Sequence, residues 1–390
     1  MKRKILVWPS TYPTEASFVS GIFTKEQAEV LSRRYDVAVA LARVPSWRKM
    51  LKGQDRPRTM EGTHNGLPMF RQEAIAPPRS FLLRVMFYRM LAEKLFVRVM
   101  DRWGRPDLIH AYMVYPAGWT AVRIAGRHGI PVILTEYTGP FSVHLETRLQ
   151  RRLVRETLDS CHHLVTASPG LAREIESFRP VRNVSPLGIM VKSAFFVPPA
   201  DTRSPGPRTR FLTVALLDPA KGIHNLVEAL HLLEQRGLKD CELWIGGNGP
   251  ARSSLEAQAR RLGVESRCRF LGMLKPDEVR SWMQQCDVFV LPSLVETFGV
   301  VIGEAMACGK PVIATRCTGP EFIITEENGL LVEINDSGDL AAAMEKVMTG
   351  GVRFDAAAIR RSVTDRFGEE VYLENLSRIY ESVLAEKGGC

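Results

Sequence analysis

The stretch Leu291-Pro292-Ser293-Leu294-Val295-Glu296-Thr297-Phe298-Gly299-Val300-Val301-Ile302-Gly303-Glu304-Ala305-Met306-Ala307-Cys308-Gly309-Lys310-Pro311-Val312-Ile313-Ala314 reads as strand, loop, helix, turn and strand. Thr297 offers an N-cap oxygen, and the pattern predicts a helix from about Gly299 to Cys308. Gly309 suits the left-handed position after a helix, and Pro311 opens the strand Val312 to Ala314. A strand, a crossover helix and a second strand in this order predict a parallel sheet. Glu296 then lies in the loop at the carboxyl end of a parallel strand, where open α/β sheets bind ligands. Glu304 falls more than a turn inside the helix, so the two carboxylates can face one cavity at different depths. Carboxylates accept hydrogen bonds from vicinal hydroxyls, and the unpaired N–H groups of a helix start at Phe298 to Val301 suit phosphates. Spacing alone fits two unremarkable surface glutamates equally well.

The same alternation extends in both directions. Downstream of a Pro-rich, polar connection, Val197 to Pro207, strands are predicted at Phe211–Leu216, Glu242–Ile245, Arg269–Leu271 and Val288–Leu291. Helices separate them at Ile223–Gln235, Arg252–Leu262 and Pro276–Gln285. Upstream, strands at Lys4–Trp8, Val37–Leu41, Leu108–Ala111, Val132–Leu134 and His163–Thr166 alternate with helices near Phe23–Ser32, Ala117–His128 and Glu146–Ser160. A helical pattern over Glu369 to Glu386 is placed to cross back to the first half. The expectation is therefore two similar α/β domains with a cleft between them, residues 1–195 with the returning segment 369–390, and residues 208–368.

A chain of 390 residues exceeds what one hydrophobic core usually supports, which agrees with two domains. With 45% apolar and 24% charged residues and no low-complexity tract, it is a folded protein and not a disordered one. The opening apolar run, Ile5 to Trp8, is too short for a signal-peptide core or a membrane span, which points to a cytoplasmic protein. The seven cysteines are dispersed without metal-site or redox spacing, so reduced thiols and no metal site are expected. The net charge of +9 is uneven: residues 1–190 carry 29 Lys+Arg against 16 Asp+Glu, and the remainder 23 against 27. A basic first half attracts phosphorylated substrates, nucleic acid or an anionic membrane, and charge does not choose among them. No nucleic-acid-binding motif accompanies it, so a nucleic-acid partner is not expected.

The Glu296 to Pro311 segment resembles the Glu-x7-Glu signature of the family-four retaining glycosyltransferases, which have the GT-B fold of two Rossmann-like domains. Glu296, Phe298, Gly299, Glu304, Ala305, Ala307, Gly309 and Pro311 carry the match. Lys221-Gly222-Ile223, Gly246-Gly247-Asn248-Gly249-Pro250, Phe270-Leu271-Gly272, Leu291-Pro292-Ser293 and Gly319-Pro320 follow the family order. The resemblance implies transfer of a sugar from a nucleotide-diphospho-sugar donor, with no metal and no separate cofactor. It assigns Glu304 to the donor ribose, Glu296 to a hydroxyl of the moving sugar, and the backbone of Phe298, Gly299, Val300 and Val301 to the sugar and diphosphate. Lys221 would offset charge on the departing diphosphate, and Gly21 would let the N-terminal loop approach the donor phosphates. His110 and Tyr112 fall on the segment where the family alternates two histidines, the second of which, Tyr112 here, lies near the transferred sugar; His110 also fits a core histidine. An arginine that commonly accompanies the lysine is replaced here by Leu216.

For the acceptor the resemblance gives only a class, a glycan or lipid-linked molecule in polysaccharide, lipopolysaccharide or glycolipid synthesis. Phe81 to Met100 is helical, apolar and basic, with Arg84, Lys94 and Arg98, and a basic stretch from Arg48 to Arg58 precedes it. This half is expected to dock peripherally on an anionic membrane, with a helix packed on the sheet as the alternative. A non-catalytic nucleotide-sugar-binding protein and a GT-B epimerase remain as rival functions.

Overall fold

The computed structural model describes residues 2–13, 20–44, 59–75, 81–196 and 208–388. The basic stretch 48–58 and the Pro-rich connection 197–207 lie outside them. The chain divides into two compact units. The first draws on Met1–Ala167, Leu171–Gly188 and Tyr372–Cys390, and the second on Ser168–Gly170 and Ile189–Val371.

In the first unit, strands β1 (Lys4–Pro9), β2 (Asp36–Arg43), β3 (Thr59–His64), β4 (Leu67–Glu73), β5 (Leu108–Tyr112), β6 (Val132–Glu136), β7 (His163–Thr166) and β8 (Val184–Pro186) form one sheet. Their order is β3-β4-β2-β1-β5-β6-β7-β8, parallel except for the β3–β4 hairpin. Helices α1 (Ile22–Leu31), α2 (Phe81–Arg102), α3 (Trp119–His128), α4 (Arg148–Ser160) and α5 (Pro169–Phe178) connect them. Ile5, Leu6, Val7 and Trp8 are all fully buried, the continuous apolar run expected of a central parallel strand covered on both faces. Each such large aliphatic side chain contributes about 1.5–3 kcal/mol over leaving it in water. The hairpin turns at Asn65 and Gly66, both with positive φ, the geometry that suits the right-handed twist of paired strands.

The second unit is wholly parallel. Strands β9 (Thr209–Val214), β10 (Cys241–Gly246), β11 (Cys268–Gly272), β12 (Val288–Leu291), β13 (Val312–Thr315) and β14 (Gly329–Val332) run in the order β11-β10-β9-β12-β13-β14. Helices α6 (Ile223–Gln235), α7 (Arg252–Arg261), α8 (Pro276–Gln285), α9 (Val300–Ala307), α10 (Pro320–Ile323), α11 (Ser337–Met348) and α12 (Ala356–Phe367) intervene. Phe211, Leu243, Val290 and Ile313 of the sheet share one core with Leu226 and Leu230 of α6 and Leu340 and Met344 of α11.

Both sheets therefore have the Rossmann-like pattern in which strand order reverses beside the first strand, at β1/β5 and at β9/β12. The last helix, α13 (Glu369–Gly388), belongs from Tyr372 onward to the first unit, as its sequence position suggested. There Tyr380 is fully buried against Tyr35, and Glu381 pairs with Arg34 at 3.1 Å.

Candidate active site

The second unit brings Lys221 and Glu296 together. After β9 the chain makes a single tight turn, Pro219–Lys221, stabilised by the Asp218 carboxylate, which accepts the Ala220 N–H at 2.9 Å. Gly222 follows with φ +62, and a Cβ there would fall 1.9 Å from the Pro292 carbonyl oxygen. Only glycine permits that approach. The Leu294 N–H donates to the Ala220 carbonyl at 2.8 Å, joining the loop after β12 to the loop after β9. Across this seam Lys221 Nζ donates to Glu296 Oε2 at 2.7 Å, with the side chains 27% and 15% exposed. A partly exposed pair of this kind adds at most about 1 kcal/mol to stability, so its consequence is positional. Glu296 is held further: its Oε1 accepts the Thr297 N–H at 3.1 Å, and its carbonyl accepts the Gly319 N–H at 2.9 Å and the Thr318 hydroxyl at 2.7 Å.

Helix α9 opens on Gly299, which has φ +87 and caps the helix without a side-chain hydrogen bond. The sequence placed the cap at Thr297. The structure moves it two residues on, because the chain enters through a left-handed glycine and Thr297 lies in the loop beside the Glu296 carboxylate. Phe298 is fully buried, edge-on to Phe367 with centroids 5.1 Å apart, so its ring anchors the helix start and only its backbone remains for a ligand. Val300, Val301 and Glu304 are partly exposed, with Glu304 one turn beyond Val300. The Gly246 to Pro250 loop lies against the same region: Leu217 donates its N–H to the Asn248 carbonyl at 3.0 Å, and the Ala251 N–H returns to the Leu217 carbonyl at 2.9 Å. Leu216 is 58% exposed and supplies no charge where the family pattern has an arginine.

The first unit treats its expected site residues differently. His110 on β5 is fully buried, with Nδ1 2.6 Å from the Tyr380 hydroxyl and Nε2 2.7 Å from the Thr135 hydroxyl. Burial lowers its pKa to about 3, so it is a neutral interior histidine. Tyr112 is 1% exposed, with its hydroxyl 3.1 Å from His110 Nδ1, and burial raises its phenol well above the usual value. Tyr112, at the position expected beside the transferred sugar, and His110 are thus both buried in the interior of this unit. Gly21 has φ +78, and a Cβ there would lie 2.5 Å from the Thr11 carbonyl oxygen. Close packing of the chain on itself accounts for that glycine.

One residue to which the sequence reading gave no role organises these strand ends. Glu136, at the end of β6, is fully buried. Its Oε2 accepts the Val114 N–H at 2.6 Å, and its Oε1 accepts the N–H groups of Tyr137 at 3.0 Å and Thr138 at 2.7 Å. A charged residue closing the apolar run Val132 to Leu134 was the available signal. Among the described residues no group of three or more His, Cys, Asp or Glu side chains is arranged to hold a metal ion.

Comparison with known proteins agrees with this layout. The family described as "Glycosyl transferase 4-like domain" matches residues 20–187, and "Glycosyl transferases group 1" matches residues 208–350. A lipopolysaccharide core biosynthesis glycosyltransferase of Rhizobium meliloti is 30% identical over 307 residues, covering 75% of this chain and 80% of that protein. A glycogen synthase of Mycobacterium tuberculosis is also 30% identical over 307 residues, covering 74% and 71%. Among solved structures, a sucrose-phosphate synthase of Thermosynechococcus elongatus superposes with a TM-score of 0.77 at 20% identity, covering 99% of this chain and all of that one. Sequence and fold converge on one assignment: the chain belongs to the glycosyltransferases and has their GT-B architecture of two Rossmann-like units.

Proposed function

We propose that this glycosyltransferase moves a sugar from a nucleoside-diphosphate sugar to an acceptor hydroxyl with retention of configuration and without a metal, in the assembly of a cell-surface polysaccharide, lipopolysaccharide or glycolipid. The observation that carries the reading is the Lys221–Glu296 pair, 2.7 Å apart at the carboxyl ends of β9 and β12, where the second sheet reverses its strand order. An ammonium that meets the departing phosphate and a carboxylate that meets a hydroxyl of the moving sugar then share one hydrogen-bonding neighbourhood.

In this reading residues 208–368 hold the donor. Glu304 accepts from the ribose, the backbone from Phe298 to Val301 lies along the sugar and diphosphate, and Lys221 neutralises charge as the diphosphate leaves. Fixed charge of this kind contributes about 3–4 kcal/mol to the barrier for each group by comparison with oxyanion donors. No carboxylate in this account acts as a covalent nucleophile. The acceptor hydroxyl attacks the face the diphosphate vacates, and the leaving phosphate takes its proton. Positioning and charge do most of the work. Residues 1–195 with the returning helix receive the acceptor.

The 30% identical lipopolysaccharide core enzyme supports the cell-surface role. Helix α2 supports the place of work. It exposes Leu82, Leu83, Met86, Met90 and Val97 beside exposed Arg84, Arg89, Lys94 and Arg98, a mixed apolar and cationic face suited to the cytoplasmic surface of an anionic membrane. No described helix is long and apolar enough to cross a membrane. Co-sedimentation with phosphatidylglycerol vesicles at low salt, weakened in Met86→Asp, is the expected result, and equal recovery with neutral vesicles removes the membrane.

The test of the reaction is incubation with a panel of nucleoside-diphosphate sugars and a lipid-glycan extract in EDTA, followed by NMR of the product's anomeric centre. Transfer with the donor's own configuration is expected. Inverted product overturns the retaining assignment, and binding without turnover identifies a nucleotide-sugar-binding protein. Isomerised donor formed without acceptor identifies an epimerase.

A further inference from the structure

The first unit contains a cavity of about 160 Å³ that none of the donor chemistry uses. Ser10 beyond β1, Arg43 at the end of β2, Tyr115 and Pro116 beyond β5, and Arg84 and Tyr88 of α2 line it. It therefore lies at the carboxyl ends of β1, β2 and β5, where this sheet reverses its strand order.

The polar groups around it divide into those already engaged and those that are not. The Tyr88 hydroxyl donates to the Ala42 carbonyl at 2.8 Å, and the Ser10 hydroxyl donates to the Tyr112 carbonyl at 3.2 Å while accepting the Ala117 N–H at 3.1 Å. Arg43 donates from Nε to Glu73 Oε1 at 2.7 Å, and Glu73 is itself fully buried and bonded by Arg71 at 2.6 Å. One carboxylate thus fixes two guanidiniums behind the cavity. Arg84 is exposed at the cavity, with no ion-pair partner among the described residues, and no described carboxylate lines the space. The Tyr115 hydroxyl also makes no hydrogen bond to a described residue. Burial pushes that phenol up to about 12, against the pull of the Arg84 guanidinium, which places the two groups within electrostatic reach.

We infer that this cavity is a subsite for a phosphate group on the acceptor, held by Arg84 and the Tyr115 hydroxyl with Arg43 as a fixed second positive charge. The assignment to the acceptor rests on the glycosyltransfer reading above; the binding of phosphate does not. Two guanidiniums on different elements suit a dianion better than a single carboxylate, and arginine matches phosphate oxygens in geometry as well as charge.

The test uses the whole chain labelled with 3-fluorotyrosine, whose eight tyrosines give eight ¹⁹F signals. Tyr115 is assigned by its absence from the spectrum of Tyr115→Phe. Titration with glycerol 3-phosphate should move the Tyr115 signal saturably, and with glycerol it should not. Arg84→Ala should weaken the apparent affinity at least tenfold and Arg84→Lys by less, with the other signals in place as proof of folding. A parallel arm with monomeric dihexanoyl phosphatidic acid separates sources: equal affinity marks recognition of a free phosphate ester, and tighter binding marks a lipid headgroup. No saturable shift with either ester, an undiminished shift in Arg84→Ala, or an equal response to acetate overturns the subsite. Turnover with the donor panel is scored separately, so its failure removes the acceptor assignment and leaves this binding result to stand or fall alone.

Discussion

The two Rossmann-like units secure the carboxyl ends of their strands with a different balance of backbone and side-chain bonds. In the second unit the loops after β9, β10, β12 and β13 are joined backbone to backbone, through Leu294 to Ala220, Leu217 to Asn248 and Gly319 to Glu296. Glycine makes the joins possible, and the Lys221–Glu296 pair remains partly open to solvent. In the first unit backbone bonds such as Met113 N–H to the Thr135 carbonyl are supplemented by buried side chains, His110 with Thr135 and Tyr380, and Glu136 with three N–H groups. Backbone seams demand glycine at fixed spacings, which leaves a mark in the sequence. Side-chain seams admit many solutions and leave little.

The largest effect should come from the backbone seam. Gly222→Ala combines a left-handed φ of +62 with a contact of 1.9 Å to a carbonyl oxygen. Strain and overpacking together should cost at least about 3 kcal/mol, read by urea unfolding, and a wild-type midpoint would show that the seam is loose. Lys221→Ala comes next. Its side chain is partly exposed, so the fold should survive while kcat falls on the order of 100-fold, and an unchanged kcat would place the leaving-group charge elsewhere.

Predictions for the side-chain seam are smaller. Glu136→Gln keeps the shape but replaces one acceptor oxygen by a donor facing backbone N–H groups. A loss of about 1–3 kcal/mol is expected by thermal unfolding. For His110 the folded pKa, about 3, lies below the unfolded value near 6.5, so the unfolded chain binds the extra proton. Its contribution is complete above pH 6.5 and is lost as pH falls towards 3, at up to about 1.4 kcal/mol per pH unit. His110→Gln should therefore flatten the acid side of the stability profile between pH 6 and 4, and parallel profiles would contradict its burial as a neutral group.

The same contrast explains what the sequence disclosed. Strands such as Val288 to Leu291 were legible because both faces are covered, and the loops after β9 and β12 because Gly222 and Gly299 adopt left-handed backbone that glycine suits. The helix start near Gly299 was legible but its cap was placed at Thr297, because a capping side chain and a left-handed glycine are alternative ways to open a helix, and the sequence contains both. The β3–β4 hairpin was missed although Asn65-Gly66 is a strong turn signal, because β3 is exposed and polar and shows no apolar alternation. The burial of His110 and Tyr112 was not legible, because a motif reports position along a strand and not which side chains a later helix will cover. The cavity at Arg84 was invisible, since Ser10, Arg43, Arg84 and Tyr115 meet only through the fold.

The central claim is that the second unit binds a nucleoside-diphosphate sugar through Lys221, Glu296 and Glu304. It is tested most directly by calorimetric titration of the wild type and Glu304→Ala with nucleoside diphosphates and their sugar conjugates in EDTA. The account predicts one base bound selectively by the wild type and affinity reduced at least tenfold in the variant. Equal binding by both proteins, or no nucleotide bound by either, would contradict it.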